Sequence, residues 1–145
     1  MAKKRLSVRL CPVHAMTVTR VSLGDSKLAY AILANKPLKY RFGKSRIAYI
    51  GTTKKGIARF AVSAAGKAEN VLNLHGVWEM EVRIVTCGVR QNVQTWAKLE
   101  RALLLVFREM YGEMPRCNAQ VPRESDEFRY FKRERIKGIL KTLAA

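Results

Sequence analysis

The residues best placed to do chemistry lie in Tyr40-Arg41-Phe42-Gly43-Lys44-Ser45-Arg46-Ile47-Ala48-Tyr49-Ile50-Gly51, with Arg59 eight positions further on. Two tyrosines, a glycine turn and a helix-borne arginine at this spacing can assemble a phosphodiester-cleaving site. Such hydrolysis needs a deprotonated nucleophile, charge stabilisation at the phosphorane and help for the leaving oxygen. A phenol at its reference pKa of about 10 is a poor base at neutral pH. Nearby cations such as Lys54, Lys55 and Arg59, together with a metal, would favour the phenolate. Tyr49 or Tyr40 could then take a proton from water, and the sequence leaves both open. Arg59 can grip a phosphate through its planar fork.

One acid stands apart from this stretch. Glu100 lies four residues after Trp96 and four before Leu104, so it borders the apolar stripe of a helix. A carboxylate there needs a cation to offset desolvation. One hard metal held by a single carboxylate, waters and a substrate phosphate meets that need; a salt bridge to a neighbouring arginine is the alternative. Asn118 can orient the glutamate, hold its loop, or be a plain turn residue. His75, in a loop-like stretch, is a candidate proton partner, His14 a weaker one. Glu109, on the side of Lys98, Arg101 and Arg108, reads as surface.

The elements that must position these groups follow from periodicity. Leu6–Leu10 and Met16–Thr19 alternate as strands. Leu28–Leu33 is apolar throughout, and periodicity cannot decide between strand and helix. Tyr40–Gly51 reads as a hairpin turning at Gly43-Lys44-Ser45. Thr52 or Thr53 then caps a helix carrying Ile57, Phe60, Ala61 and Ala64 inward, with Gly66 as its stop. Trp78–Cys87 reads as a core strand. Thr95 caps a long helix with Leu99, Ala102, Leu103, Val106, Phe107 and Met110 on one face, closed by Gly112. Ser125, Asp126 and Glu127 open a last helix, apolar along Phe128, Phe131, Ile136, Ile139, Leu140 and Leu143 and basic on its other side. The order strand, strand, helix, strand, helix predicts an α+β domain with no long linker.

Charge narrows the partner. The 145 residues carry a formal net charge of +17, a field that repels itself in the compact state and points to an anionic partner. From Ser26 to Ala68 there are ten Lys or Arg and no Asp or Glu. These cations are interleaved with apolar residues, as on the basic face of a folded domain. Nucleic acid is the first candidate and anionic lipid the second. No apolar stretch approaches the roughly 20 residues that span a bilayer. Cys11, Cys87 and Cys117 are an odd set without regular spacing, which fits a reducing cytoplasm better than a disulfide framework. Cys11-Pro12-Val13-His14 has the form of half a zinc site, but no second pair completes it.

In these residues the chain resembles the GIY-YIG nuclease family, from Tyr40 to Asn118. Tyr49-Ile50-Gly51 stands as the second half-motif and Tyr40, in Leu38-Lys39-Tyr40, as the tyrosine of the first, without its glycine. Arg59, Glu100 and Asn118 stand where the family has its helix-borne arginine, metal-binding glutamate and terminal asparagine. Ser63 occupies the place where many members carry histidine or tyrosine, and Thr52 one where some carry lysine. The length predicts a single domain, and the resemblance implies within it a small antiparallel, three-stranded sheet flanked by helices: a β-rich N-terminal extension (1–37), a catalytic core (38–120) and a basic C-terminal helix (121–145). It implies a metal-dependent endonuclease cleaving nucleic acid, DNA ahead of RNA, with Tyr40, Tyr49, Arg59, Glu100 and Asn118 as its site. One Mg²⁺ or Mn²⁺ would sit on Glu100. Lys39, Arg41, Lys44, Arg46, Lys54, Lys55, Lys132 and Arg133 would grip the backbone. The alternatives are a nucleic-acid-binding module that keeps the fold without the activity, and a basic component of a ribonucleoprotein or packaging assembly.

Overall fold

The computed structural model of the chain describes residues 5–13, 28–53 and 56–145, with every side chain in those ranges except 56–61. In chain order the elements are β1 (Leu28–Tyr40), β2 (Gly43–Thr53), α1 (Gly56–Leu72), β3 (Met80–Val85), α2 (Thr95–Tyr111), α3 (Glu127–Tyr130) and α4 (Arg133–Ala144). The fold is α+β, with three antiparallel strands in the order β2-β1-β3. Helices α2 and α4 pack on each other and on β1 and β2, while α1 packs on β2 and β3. No helix of the described residues is long and apolar enough to cross a membrane.

β1 is the central strand, and every residue from Leu28 to Ala34 is buried. A strand covered on both faces reads as a continuous apolar run, which is why alternation is missing there. It also runs through the boundary expected at residue 37, so residues 28–37 belong to the sheet and not to an extension. Leu6–Leu10, expected as a strand, is irregular and exposed, while Met16–Thr19 lies outside the described residues.

Two irregularities in the β1–β2 pairing decide where side chains point. Leu33 pairs with Ile47 and Leu38 with Ser45, so β1 carries extra residues between them. Pro37, which has no N–H to give a ladder, falls in that bulge. In the second irregularity, Ile32 pairs with Tyr49 but Leu33 with Ile47, leaving Ala48 as the extra residue on β2. Residues directly opposite in a pair share a face. Tyr30, Ile32, Tyr49 and Gly51 therefore lie on one face, and Leu33, Leu38, Tyr40 and Ile47 on the other. The Ala48 bulge turns Tyr49 away from Tyr40's side.

The hairpin turns earlier than the sequence suggests. Tyr40 pairs with Gly43, leaving Arg41-Phe42 as the turn. The end of α2 holds it there: the Phe42 N–H donates to the Tyr111 carbonyl at 3.1 Å. Gly112 caps α2 at φ +78°, and a Cβ on it would meet the Phe42 ring at 2.8 Å. Only glycine meets both demands.

Thr52 and Thr53 belong to β2, with the Thr52 hydroxyl donating to the Leu28 carbonyl at 2.8 Å. α1 continues past Gly66 to Leu72, because one exposed glycine inside a helix costs only about 1 kcal/mol. Gln94, not Thr95, is the N-cap position of α2. Trp78 lies outside β3 and is 74% exposed, so it is not a core residue. The last helix divides at Phe131, whose extended backbone separates α3 from α4.

Candidate functional site

Tyr30 and Tyr49 meet over Gly51. Their ring centres are 5.9 Å apart. A Cβ on Gly51 would stand 2.7 Å from both the Tyr30 Cζ and the Tyr49 Cε1, so glycine is what lets the two phenols approach. The hydroxyls are hydrogen-bonded to each other, and Ser63 on α1 bonds to Tyr30. The Tyr30–Tyr49 bond favours the Tyr49 phenolate and disfavours that of Tyr30. Ser63, Tyr30 and Tyr49 thus form one hydrogen-bonded line.

The helix above supplies more than the serine. Lys67, one turn after Ser63, holds its ammonium 4.8 Å from the centre of the Tyr49 ring. Position 59 lies one turn before Ser63 on the same helix, in register with that face; the Arg59 side chain is outside the described residues, as are Lys54 and Lys55.

Glu100 on α2 completes the group. Its charge raises both phenols, after burial as the leading cause. Burial likewise raises the Glu100 carboxyl, while Arg101 pulls it down. Among the described residues Glu100 enters no salt bridge, whereas Arg101 pairs with the fully buried Glu127 at 3.2 Å. A half-buried carboxylate without a paired cation fits one hard metal ion, since water and substrate oxygens can fill the remaining positions. No cluster of three or more His, Cys, Asp or Glu among the described residues offers another cage. The phenols are raised, and the cations expected to lower them, Lys54, Lys55 and Arg59, have side chains outside the described residues. Burial and a neighbouring carboxylate dominate, so both stand protonated at neutral pH.

Asn118 acts on the backbone. Its Oδ1 accepts from the Ile50 N–H at 3.0 Å and its Nδ2 donates to the Ile50 carbonyl at 2.9 Å. The Cys117 N–H donates to the Ala48 carbonyl at 2.8 Å. The loop after α2 thus pairs the outer edge of β2 on both sides of Tyr49. Asn118 positions the tyrosine strand.

Tyr40 is not part of this group. It lies on the other face, 3% exposed, edge-on to Phe107 at 5.1 Å. Its hydroxyl donates to the Ile47 carbonyl at 2.6 Å and accepts from the Arg116 N–H at 2.9 Å. Burial pushes it up to about 12, against a smaller lowering by Arg116. Its partner Gly43 is six residues from Tyr49 along β2, roughly 20 Å of strand.

Several expected backbone grips are engaged elsewhere. Arg46 donates to the Ala34 carbonyl at 2.8 Å. Arg133 pairs with Glu109 and Glu124 and lies over the Phe128 ring at 3.7 Å. Lys39, Arg41 and Lys44 are exposed at the hairpin end, and Lys132 is exposed before α4. His75 is exposed beyond α1, and His14 lies outside the described residues.

Tyr30, Lys67 and Arg116 escape a sequence reading. The signal for Tyr30 was Leu28-Ala29-Tyr30, a tyrosine inside an apolar run that resolves as a strand only once β2 pairs with it. No protein-family model, no curated protein and no solved structure matches this chain.

Proposed function

We propose that the chain is a metal-dependent endonuclease of GIY-YIG type, acting on phosphodiester bonds in nucleic acid, DNA ahead of RNA. What supports the reading is one observation: two phenols hydrogen-bonded across Gly51, beneath Ser63, within the field of Glu100, which enters no salt bridge among the described residues. In this reading Leu28-Ala29-Tyr30 supplies the first half-motif, and Tyr40 is released to the core.

Tyr49 is the base. The Tyr30 hydrogen bond favours its phenolate against the rise caused by burial and by Glu100, and a cation on Glu100 would offset that rise. Tyr30 steadies the charge formed on Tyr49. Arg59 holds the phosphate. Mg²⁺ or Mn²⁺ on Glu100, when bound, supplies a Lewis acid for the phosphate and the leaving oxygen. Exposed Lys39, Arg41, Lys44 and Lys132 add a salt-sensitive hold on the backbone. Three free thiols suit a reducing cytoplasm.

Nicking of supercoiled plasmid in Mg²⁺ against EDTA tests the reading. Glu100→Gln and Tyr49→Phe should each lower the rate by at least about 100-fold, the scale of a lost general base. Nicking that survives Glu100→Gln ends the proposal. The raised phenols favour one second reading, a binder that does not cleave. It predicts plasmid binding without nicking in any divalent metal.

A further inference from the structure

Beside the tyrosine pair runs an open groove of about 470 Å³ that the proposed chemistry does not use. One wall is the end of α1 and the residues after it, with Asn70 and Asn73; the other is the loop after α2, with Arg116 and Asn118. Two residues join it to the tyrosines. Asn118 is bonded to Ile50, between Tyr49 and Gly51. Lys67, one turn before Asn70, places its ammonium against Tyr49, and its charge is felt at Cys117 on the opposite wall.

The lining selects a ligand class. It holds no carboxylate, so a cation has no counter-charge there. Arg116 is held over the Tyr40 ring at 5.4 Å and bonded to the Lys39 carbonyl, a guanidinium ordered before any ligand arrives. The end of α1 presents carbonyls rather than free N–H groups, which disfavours a phosphate and suits N–H donors. Asn70 and Asn73 are exposed there, and carboxamides pair with the donor–acceptor edges of bases.

We propose that this groove seats the nucleotide flanking the scissile phosphodiester, with Lys67 holding its phosphate at the Tyr49 end, Arg116 adding positive charge on the opposite wall, and its base edge on Asn70 and Asn73. The assignment rests on the tyrosine pair being the cleavage site. Base-edge pairing requires that nucleotide to be unpaired, so the groove favours single-stranded or locally opened substrate.

Binding of a fluorescent single-stranded DNA oligonucleotide, measured in EDTA over a salt series, tests this separately from cleavage. Lys67→Met should weaken binding and reduce the slope of log K against log salt by about 0.7, the value for one phosphate on a single strand. Asn70→Ala with Asn73→Ala should leave that slope unchanged and weaken binding about tenfold, as two lost hydrogen bonds do. All three positions are exposed or half-exposed, and circular dichroism checks that the variants fold. A wild-type protein that does not bind the oligonucleotide, or variants that bind as wild type does, overturns the groove. If the losses appear while plasmid is never nicked, the groove stands as a nucleotide-binding site only, and its place beside a scissile phosphodiester falls with the nuclease reading. If plasmid is nicked and the variants bind normally, the groove alone falls.

Discussion

Tyr40→Phe separates a structural tyrosine from a catalytic one. The hydroxyl donates to the Ile47 carbonyl at 2.6 Å and receives the Arg116 N–H at 2.9 Å. Ile47 is fully buried, so its carbonyl loses its partner without gaining water, at a cost of about 1–3 kcal/mol. Arg116 is only partly buried, and its N–H can turn to solvent at little cost. Ring packing against Phe107 and Tyr111 survives, because phenylalanine keeps the ring. The net loss is about 2 kcal/mol, which for a chain of this size lowers Tm by about 4–8 °C. A thermal melt reads that loss, and plasmid nicking well below Tm should stay within about twofold of wild type. An unchanged melt with nicking abolished would refute the reasoning, since the hydroxyl would then act on substrate and not on Ile47.

Gly51→Ala drives a methyl within 2.7 Å of both tyrosine rings. It should destabilise by about 1–3 kcal/mol and cut nicking tenfold or more, and equal kinetics in the variant would mean that the rings yield freely. Asn118→Ala removes two hydrogen bonds to Ile50, about 2 kcal/mol in a urea melt. Asn118→Asp should do no better at neutral pH, because it sets an oxygen against the Ile50 carbonyl. Burial raises Glu100 above its ordinary 4.5, so its contribution to stability is full below that value and is lost as pH rises through the folded pKa. At pH 7 the ionised carboxylate is then a cost that Mg²⁺ relieves. Calorimetry should show Mg²⁺ raising Tm at pH 7 but not at pH 4, with no effect on Glu100→Gln; a Mg²⁺ shift retained in that variant points to another site.

The long helix was legible because Leu99, Ala102, Leu103, Val106 and Phe107 repeat along one buried face, a signal local to the segment. β1 was not, since its burial on both faces erases alternation and only pairing with β2 and β3 identifies it. That gap hid Tyr30 and let Tyr40 stand in for it. The distinction between them rests on a single extra residue, Ala48, which no local pattern marks. Glu100 was legible as a carboxylate beside an apolar stripe, because desolvation is a consequence of helical position. Arg46 and Arg133 read as free cations, since their acceptors lie 12 to 99 residues away in sequence for Arg46 and include Glu109 and Glu124 for Arg133.

The same loop that closes the sheet also couples Glu100 to Tyr49. β2 is an edge strand, and an open edge there would leave the backbone around Tyr49 unpaired. Cys117 takes the Ala48 carbonyl and Asn118 takes both polar groups of Ile50, so the residues on either side of Tyr49 are fixed from outside the sheet. That loop begins directly after α2, the helix that carries Glu100, and the end of α2 is itself pinned to the hairpin turn by Phe42 and Gly112. A shift of α2 therefore moves the carboxylate and, through the loop, the bulged segment that aims Tyr49. The bulge turns the phenol to the Tyr30 face, and the clamp keeps it there. Glu100 and Tyr49 are carried on elements far apart in sequence, yet one short loop ties their positions together.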